Sequence, residues 1–127
     1  MPDHVKICTF NVNGLRNKTK RLAIFDWLNN KNNNIVFLQE THSNTANETE
    51  WKRDLRNFDP YFLHGTTSAK GVCILISKHF EYQIVDKKMD VKGCFLLLHI
   101  KCNNSEYVLC NLYSPTKDKK GRAVSFP

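Results

Sequence analysis

The sequence has no long apolar run. Its longest stretches, VCILI at 72–76 and FLLL at 95–98, fall far short of the ~20 apolar residues that a membrane-crossing helix needs. The opening MPDHVK lacks the apolar segment of a secretory signal, so the sequence predicts a soluble intracellular protein, nuclear or cytoplasmic, with no membrane partner. There is no CxxC pair among the five cysteines, and Cys8, Cys73, Cys94 and Cys110 sit inside apolar runs, with Cys102 in a more polar one. An odd number of thiols in such surroundings fits buried free cysteine and argues against a disulfide framework or a zinc site. The sequons at Asn17, Asn47 and Asn103 then read as chance in an asparagine-rich chain. Low-complexity tracts, internal repeats and shifts in composition that would mark a domain boundary are also missing.

What is present is ordinary for one globular domain: 127 residues, 41% hydrophobic and 24% charged, a size that buries about two-thirds of the unfolded surface. Acids are scarce, 12 against 19 Lys and Arg, for a net charge of +7. Residues 1–34 hold six basic residues against two acids, residues 101–127 hold five against two, and the middle balances at eight against eight. The surplus concentrates in NKTKR at 17–21 and KDKKGR at 117–122. By charge alone these are either solvated surface or a phosphate-binding rim.

VKICTF at 5–10 alternates as a strand does, and NVNG after it is turn chemistry. From Thr19 to Asn30 the apolar positions Leu22, Phe25 and Leu28 recur at helical spacing, with Ile24 and Trp27 beside them. Ile35–Gln39 is an unbroken apolar run ending in a polar residue, as in a strand covered on both faces. Strand, helix and strand in this order predict neighbouring parallel strands. NETEWKRDLR at 47–56 predicts a short helix with acids first and bases last, which suits the helix dipole. Strands then follow at PYFLHG, GVCILIS (71–77), FEYQIVD (80–86), GCFLLLHIK (93–101) and YVLCNLY (107–113), joined by short polar linkers. A mixed α/β domain with a large, partly antiparallel sheet is the expectation.

Three of these strands end in a particular way: the first in Asn11 and Asn13, the second in Glu40 and His42, the last in Asn111 and Tyr113. If they share a sheet and a direction, the polar residues gather along one rim, where α/β proteins commonly place their sites. Both basic clusters begin a few residues beyond two of those ends. A carboxylate among amides, a phenol and lysines suits a hard cation holding a phosphate.

The pieces TFNVNGLR, VFLQETH, GVCILIS and LCNLYSPTKD, in this order and spacing, resemble the first half of the endonuclease/exonuclease/phosphatase superfamily. They are most similar to the endonuclease domain of LINE-type (non-LTR) retrotransposons, relatives of apurinic endonucleases and exonuclease III. The resemblance reaches to about Asp118 and rests on four motifs together. It implies the N-terminal half of a four-layered α/β/β/α sandwich, the DNase I-like fold, over residues 1–127. Carried over by residue, it makes Glu40 the carboxylate that binds Mg2+ or Mn2+ and Asn11 the residue that organises the metal and phosphate by hydrogen bonds. Asn13 stands where apurinic endonucleases usually carry Asp, and a neutral amide there weakens a second metal position. Tyr113 matches the tyrosine that contacts the scissile phosphate. His42 suggests a phosphate or DNA contact, and Arg16, Lys18, Lys20 and Arg21 are expected to follow the DNA backbone. His4, His64, His79 and His99 have no motif support and read as structural or surface residues.

The family's second half supplies an Asp-x-Asn motif and a terminal Ser-Asp-His motif, and the sequence contains neither. The expected function is therefore a truncated LINE-type endonuclease domain, related to Mg2+-dependent nicking of DNA but inactive by itself, from a parent fused to a reverse transcriptase. A noncatalytic remnant with weak nucleic-acid binding and a small-phosphoester phosphatase are the alternatives.

Overall fold

The structure, a computed structural model, describes residues 4–65, 70–90 and 95–112. The expectations for Cys94, Tyr113 and the stretch at 117–122 fall outside these ranges. The chain runs β1 (Ile7–Asn11), α1 (Lys18–Asn29), β2 (Ile35–Gln39), a 3-10 turn (Thr45–Asn47), α2 (Glu48–Asp54), β3 (Phe58–Leu63), β4 (Val72–Ser77), β5 (Gln83–Asp90), β6 (Phe95–Cys102) and β7 (Ser105–Leu112).

Asn17 starts α1 by accepting the Lys20 backbone N–H at 2.9 Å, satisfying one of the orphan donors of the first turn. The face that α1 buries differs from the expected stripe by one residue. Arg21, Phe25 and Leu28 lie inward, at i, i+4 and i+7, whereas Leu22 is 38% exposed and Trp27 44% exposed. In α2, Glu48 and Glu50 occupy the first turn and Lys52 and Arg53 the last, the order the macrodipole favours, and Trp51 is its buried anchor.

β1 and β2 pair in parallel, in register from Ile7 opposite Ile35 to Asn11 opposite Gln39. β4 inserts antiparallel between β2 and β3, giving the order β1-β2-β4-β3. Every residue of β4 is buried, which is why VCILIS does not alternate. Cys73 and Leu75 join Val36, Leu38, Phe25, Leu28, Trp51 and Leu55 in a core beneath the helices. On the other face Val72, Ile74 and Ile76 pack against Leu96, Leu98 and Ile100 of β6.

That second core exists because the later strands form a separate sheet. The order β5-β6-β7 is antiparallel throughout and has three strands, so the single large sheet expected from strand spacing is two sheets face to face, as the sandwich fold implied by the resemblance requires. β4 already has β2 on one side and β3 on the other, so β5 cannot pair with the strand it follows, and β6 instead lays Leu96, Leu98 and Ile100 over the apolar face of β4. Helices, first sheet and second sheet thus make three successive layers. Among the described residues, no helix is long and apolar enough to cross a membrane.

Asn111 ties the sheets together. Projecting from β7 and 2% exposed, its amide donates to the carbonyls of Leu38 and Cys73, at 2.9 Å each, and accepts from Gln39 Nε2 at 2.9 Å. Replacing Asn111 with Leu keeps the volume but takes the amide donor from the Leu38 and Cys73 carbonyls and leaves Gln39 only its bond to Thr9 Oγ1. Urea unfolding should register a loss of about 2 kcal/mol or more with an unchanged slope, and a loss below about 0.5 kcal/mol would contradict the tie. Burial pushes the thiols of Cys73 and Cys102 up, Cys73 the further, while Cys110 is exposed. Native-state alkylation at neutral pH should therefore label Cys110 well before Cys73.

Candidate metal and phosphate site

The in-register pairing of β1 and β2 ends both strands at the same level. Glu40, one residue past β2, meets Asn11 at the end of β1: the Asn11 Nδ2 donates a hydrogen bond to Glu40 Oε2. The other end of the Asn11 amide, Oδ1, accepts the Asn13 N–H at 3.0 Å, closing an Asx turn. Asn11 thus fixes the position of the carboxylate and the course of its own loop together.

The two loops are then laced backbone to backbone. Val12 N–H bonds to Gln39 O at 3.0 Å, Gly14 N–H to Glu40 O at 2.6 Å and Leu15 N–H to Thr41 O at 3.0 Å. From the other side, Thr41 N–H bonds to Gly71 O at 3.1 Å and His42 N–H to Lys70 O at 3.0 Å. This lacing holds an unusual conformation. Asn13, Glu40 and His42 have φ of 50°, 54° and 57°, the left-handed region, which costs a non-glycine residue about 1 kcal/mol or more. Gly14, at φ 90°, must be glycine on a second ground: a Cβ there would stand 2.6 Å from the His42 Nδ1.

Most of the site residues expected from the sequence come together here. Arg16 Nε donates to the His42 carbonyl at 3.2 Å and Lys20 Nζ to the Asn13 carbonyl at 3.0 Å. Asn11, Asn13, Arg16, Lys18 and Lys20 are exposed, and Glu40 and His42 are half-buried. Arg21 is a correction. It is 4% exposed, donates to the carbonyls of Leu15 and Arg16 at 3.0 and 3.2 Å, pairs with Glu50 at 3.3 Å and lies 5.4 Å from the Trp51 ring centroid. Its charge is consumed inside the fold and does not reach a DNA backbone. Asn111 is a second correction, since β7 belongs to the other sheet. Asn111 approaches the first sheet from below and is buried as a structural tie, so it does not line a shared rim.

The donor set suits a hard divalent cation. Glu40 Oε1 has no hydrogen bond or ion pair among the described residues, the Asn13 amide stands on the adjoining loop, and Mg2+ is commonly held by one or two carboxylates while it retains several waters. No group of three His, Cys, Asp or Glu side chains converges among the described residues.

The sequence pattern of the Endonuclease/Exonuclease/phosphatase family matches residues 8–109. A Xenopus laevis protein described as the "Transposon TX1 uncharacterized 149 kDa protein" is 30% identical over 112 residues, covering 88% of this chain and 8% of that protein. Among solved structures, an endonuclease/exonuclease/phosphatase family protein of Bacteroides thetaiotaomicron superposes with a TM-score of 0.68 at 16% identity, over 91% of this chain and 53% of that one. A mannosyl-6-phosphatase of the same organism gives 0.67 at 17%, over 92% and 54%. D. rerio TDP2, solved with a single-strand DNA product, gives 0.61 at 16%, over 84% and 44%. The chain spans about half the length of these structures and a small part of the transposon protein.

Two substitutions probe how the site is built. Gly14→Ala should cost about 1–3 kcal/mol in thermal or urea unfolding, because it adds left-handed strain and collides with His42. Arg21→Met should cost about 1–3 kcal/mol, because the carbonyls of Leu15 and Arg16 lose their donor while Glu50, half-exposed, is left to water. Lys18→Ala should stay within about 0.5 kcal/mol, and equal losses for Arg21 and Lys18 would contradict the burial described.

Proposed function

The chain belongs to the endonuclease/exonuclease/phosphatase family, and on that premise we propose that it is the N-terminal part of a LINE-type retrotransposon endonuclease domain, a domain that hydrolyses DNA phosphodiester bonds with Mg2+ or Mn2+. The observation that carries the reading is the Asn11–Glu40 pair at the ends of two parallel strands, with exposed Arg16, Lys18 and Lys20 beside it. The transposon protein from Xenopus supports the retrotransposon assignment over other branches of the family.

Glu40 would hold the ion, with the Asn13 amide oxygen as a second donor. When bound, the ion supplies compensation for the charge that builds on a phosphate during displacement. The work of this chain's own residues is to bind and orient. Asn11 holds Glu40 in place through one end of its amide and the Asn13 loop through the other. The ammonium of Lys20, already anchored at the Asn13 carbonyl, brings positive charge to the loop where a phosphate would sit, and Arg16 and Lys18 extend that charge along a DNA backbone. A reverse transcriptase in the same polypeptide is the partner that this reading supposes.

The second reading is a nucleic-acid-binding remnant without catalysis, favoured by Glu40 being the single carboxylate of the site among the described residues. The 127-residue chain alone should show no plasmid nicking above background with Mg2+. Mn2+ uptake, followed by water-proton relaxation, should weaken about tenfold or more in Glu40→Gln. Equal uptake by that variant would remove the Glu40 assignment. Titration of a fluorescent duplex should give sequence-tolerant binding that falls steeply with salt, and Lys18→Ala with Lys20→Ala should lower the slope of log K against log salt by about one for each phosphate no longer neutralised. Salt-independent binding would contradict a backbone-contact mode.

A further inference from the structure

Beneath the loop of Glu40 and His42 runs a second polar line, separate from the metal and phosphate donors. Thr41 is 1% exposed and Ser43 3%. Thr41 Oγ1 donates to Ser43 Oγ at 3.1 Å, Ser43 Oγ lies 2.8 Å from His64 Nδ1, and His64 Nε2 lies 3.1 Å from Glu48 Oε2. The line joins three elements distant in sequence: the loop after β2, the residue just past β3, and the first residue of α2.

The proton order follows from what each group can do. A carboxylate only accepts, so His64 Nε2 carries the hydrogen. In the neutral ring Nδ1 then offers a lone pair, which takes the Ser43 hydroxyl hydrogen, and the Ser43 oxygen is left to accept from Thr41. All three bonds are polarised toward Glu48, an arrangement in which each strengthens the next. The ring is also fixed from its face, stacked on Phe62 with centroids 5.6 Å apart. Gly71 leaves the space the line needs, since a Cβ there would come within 2.6 Å of Thr41 Oγ1.

Thr41 and Ser43 alternate with the two left-handed residues, Glu40 and His42, so a line gripping the first pair governs the conformation of the second. We propose that His64 is a positioning residue which, through Ser43 and Thr41, holds residues 40–43 in the strained conformation that presents Glu40, with Glu48 fixing its tautomer. The consequence for metal uptake rests on the function proposed for Glu40. The consequence for loop geometry does not.

The test uses the whole 127-residue chain and three readouts: amide hydrogen exchange, the imidazole 15N shifts of His64, and Mn2+ uptake. Ser43→Ala and His64→Phe, the latter keeping the stack on Phe62, should speed exchange of the Thr41 and His42 amides about tenfold or more, with β4 and β6 amides unchanged. Mn2+ uptake should weaken by a similar factor. Glu48→Gln, whose amide oxygen still accepts from Nε2, should stay within about twofold of the parent and keep the Nε2–H tautomer, whereas Glu48→Leu should behave as His64→Phe. Unchanged exchange at Thr41 and His42, or faster exchange spread evenly through the core, would overturn the proposal. If the parent takes up no Mn2+, or Glu40→Gln takes it up equally well, the function proposed for Glu40 fails while the exchange result still decides the role of His64.

Discussion

The parallel pairing of β1 with β2 is the constraint on which the site depends. Side chains alternate along a strand, so a slip of one residue would turn Val36 and Leu38 away from the helices and into the space between the sheets. The helix-side core of Phe25, Leu28, Trp51, Cys73 and Leu75 therefore fixes the register of β2 from one face, and the inter-sheet core of Ile74, Ile76, Leu96, Leu98 and Ile100 fixes its neighbour β4 from both. With the register set, Asn11 and Gln39 must be opposite each other, and the next residue, Glu40, turns back onto the Asn11 amide. The chemistry at the strand ends is thus specified by hydrophobic contacts deeper in the sheets.

The loop after β2 shows how a fold offsets local cost. Glu40 and His42 adopt backbone angles that disfavour both residue types, and they are kept there by N–H and carbonyl bonds on two sides, to the Gly14 loop and to the Gly71 segment. Glycine at 14 and at 71 is the condition for that lacing, because both approaches are closer than any Cβ tolerates. A loop so restrained keeps the Glu40 carboxylate in one place, the preorganisation that binding a hydrated cation and a phosphate rewards.

Charge is divided between two uses. Arg21 joins the hydrophobic face of α1 because its guanidinium finds two backbone carbonyls, Glu50 and the face of Trp51. It cross-links the loop before α1 to α2. Lys18 and Lys20, one turn of the same helix, remain in water beside the site. Arginine suits the buried role because its planar fork makes several bonds at once, and lysine suits the solvated one because its compact ammonium is strongly hydrated.

Local pattern determined the elements: apolar spacing places the strand, helix, strand opening and the run of later strands, and charge order places the second helix, all to within a few residues. The residue types at the strand ends, Asn11, Asn13, Glu40 and His42, were also legible, because amides and a carboxylate ending an apolar run have no packing reason to be there. Tertiary structure decided the remainder. Whether the later strands extend the first sheet or form a second is decided by which faces they cover, and the packing of Leu96, Leu98 and Ile100 onto β4 is invisible in the spacing of VCILIS. Leu22 and Arg21 exchanged places because a helix face is chosen by its neighbours, and only the folded chain brings Glu50 and Trp51 to Arg21. The roles of Asn111 and His64 were hidden for the same reason. The partners that give each its role, the Leu38 and Cys73 carbonyls for one and Ser43 and Glu48 for the other, lie between 16 and 73 residues away along the chain, and a hydrogen bond across that distance leaves no periodic trace in the sequence.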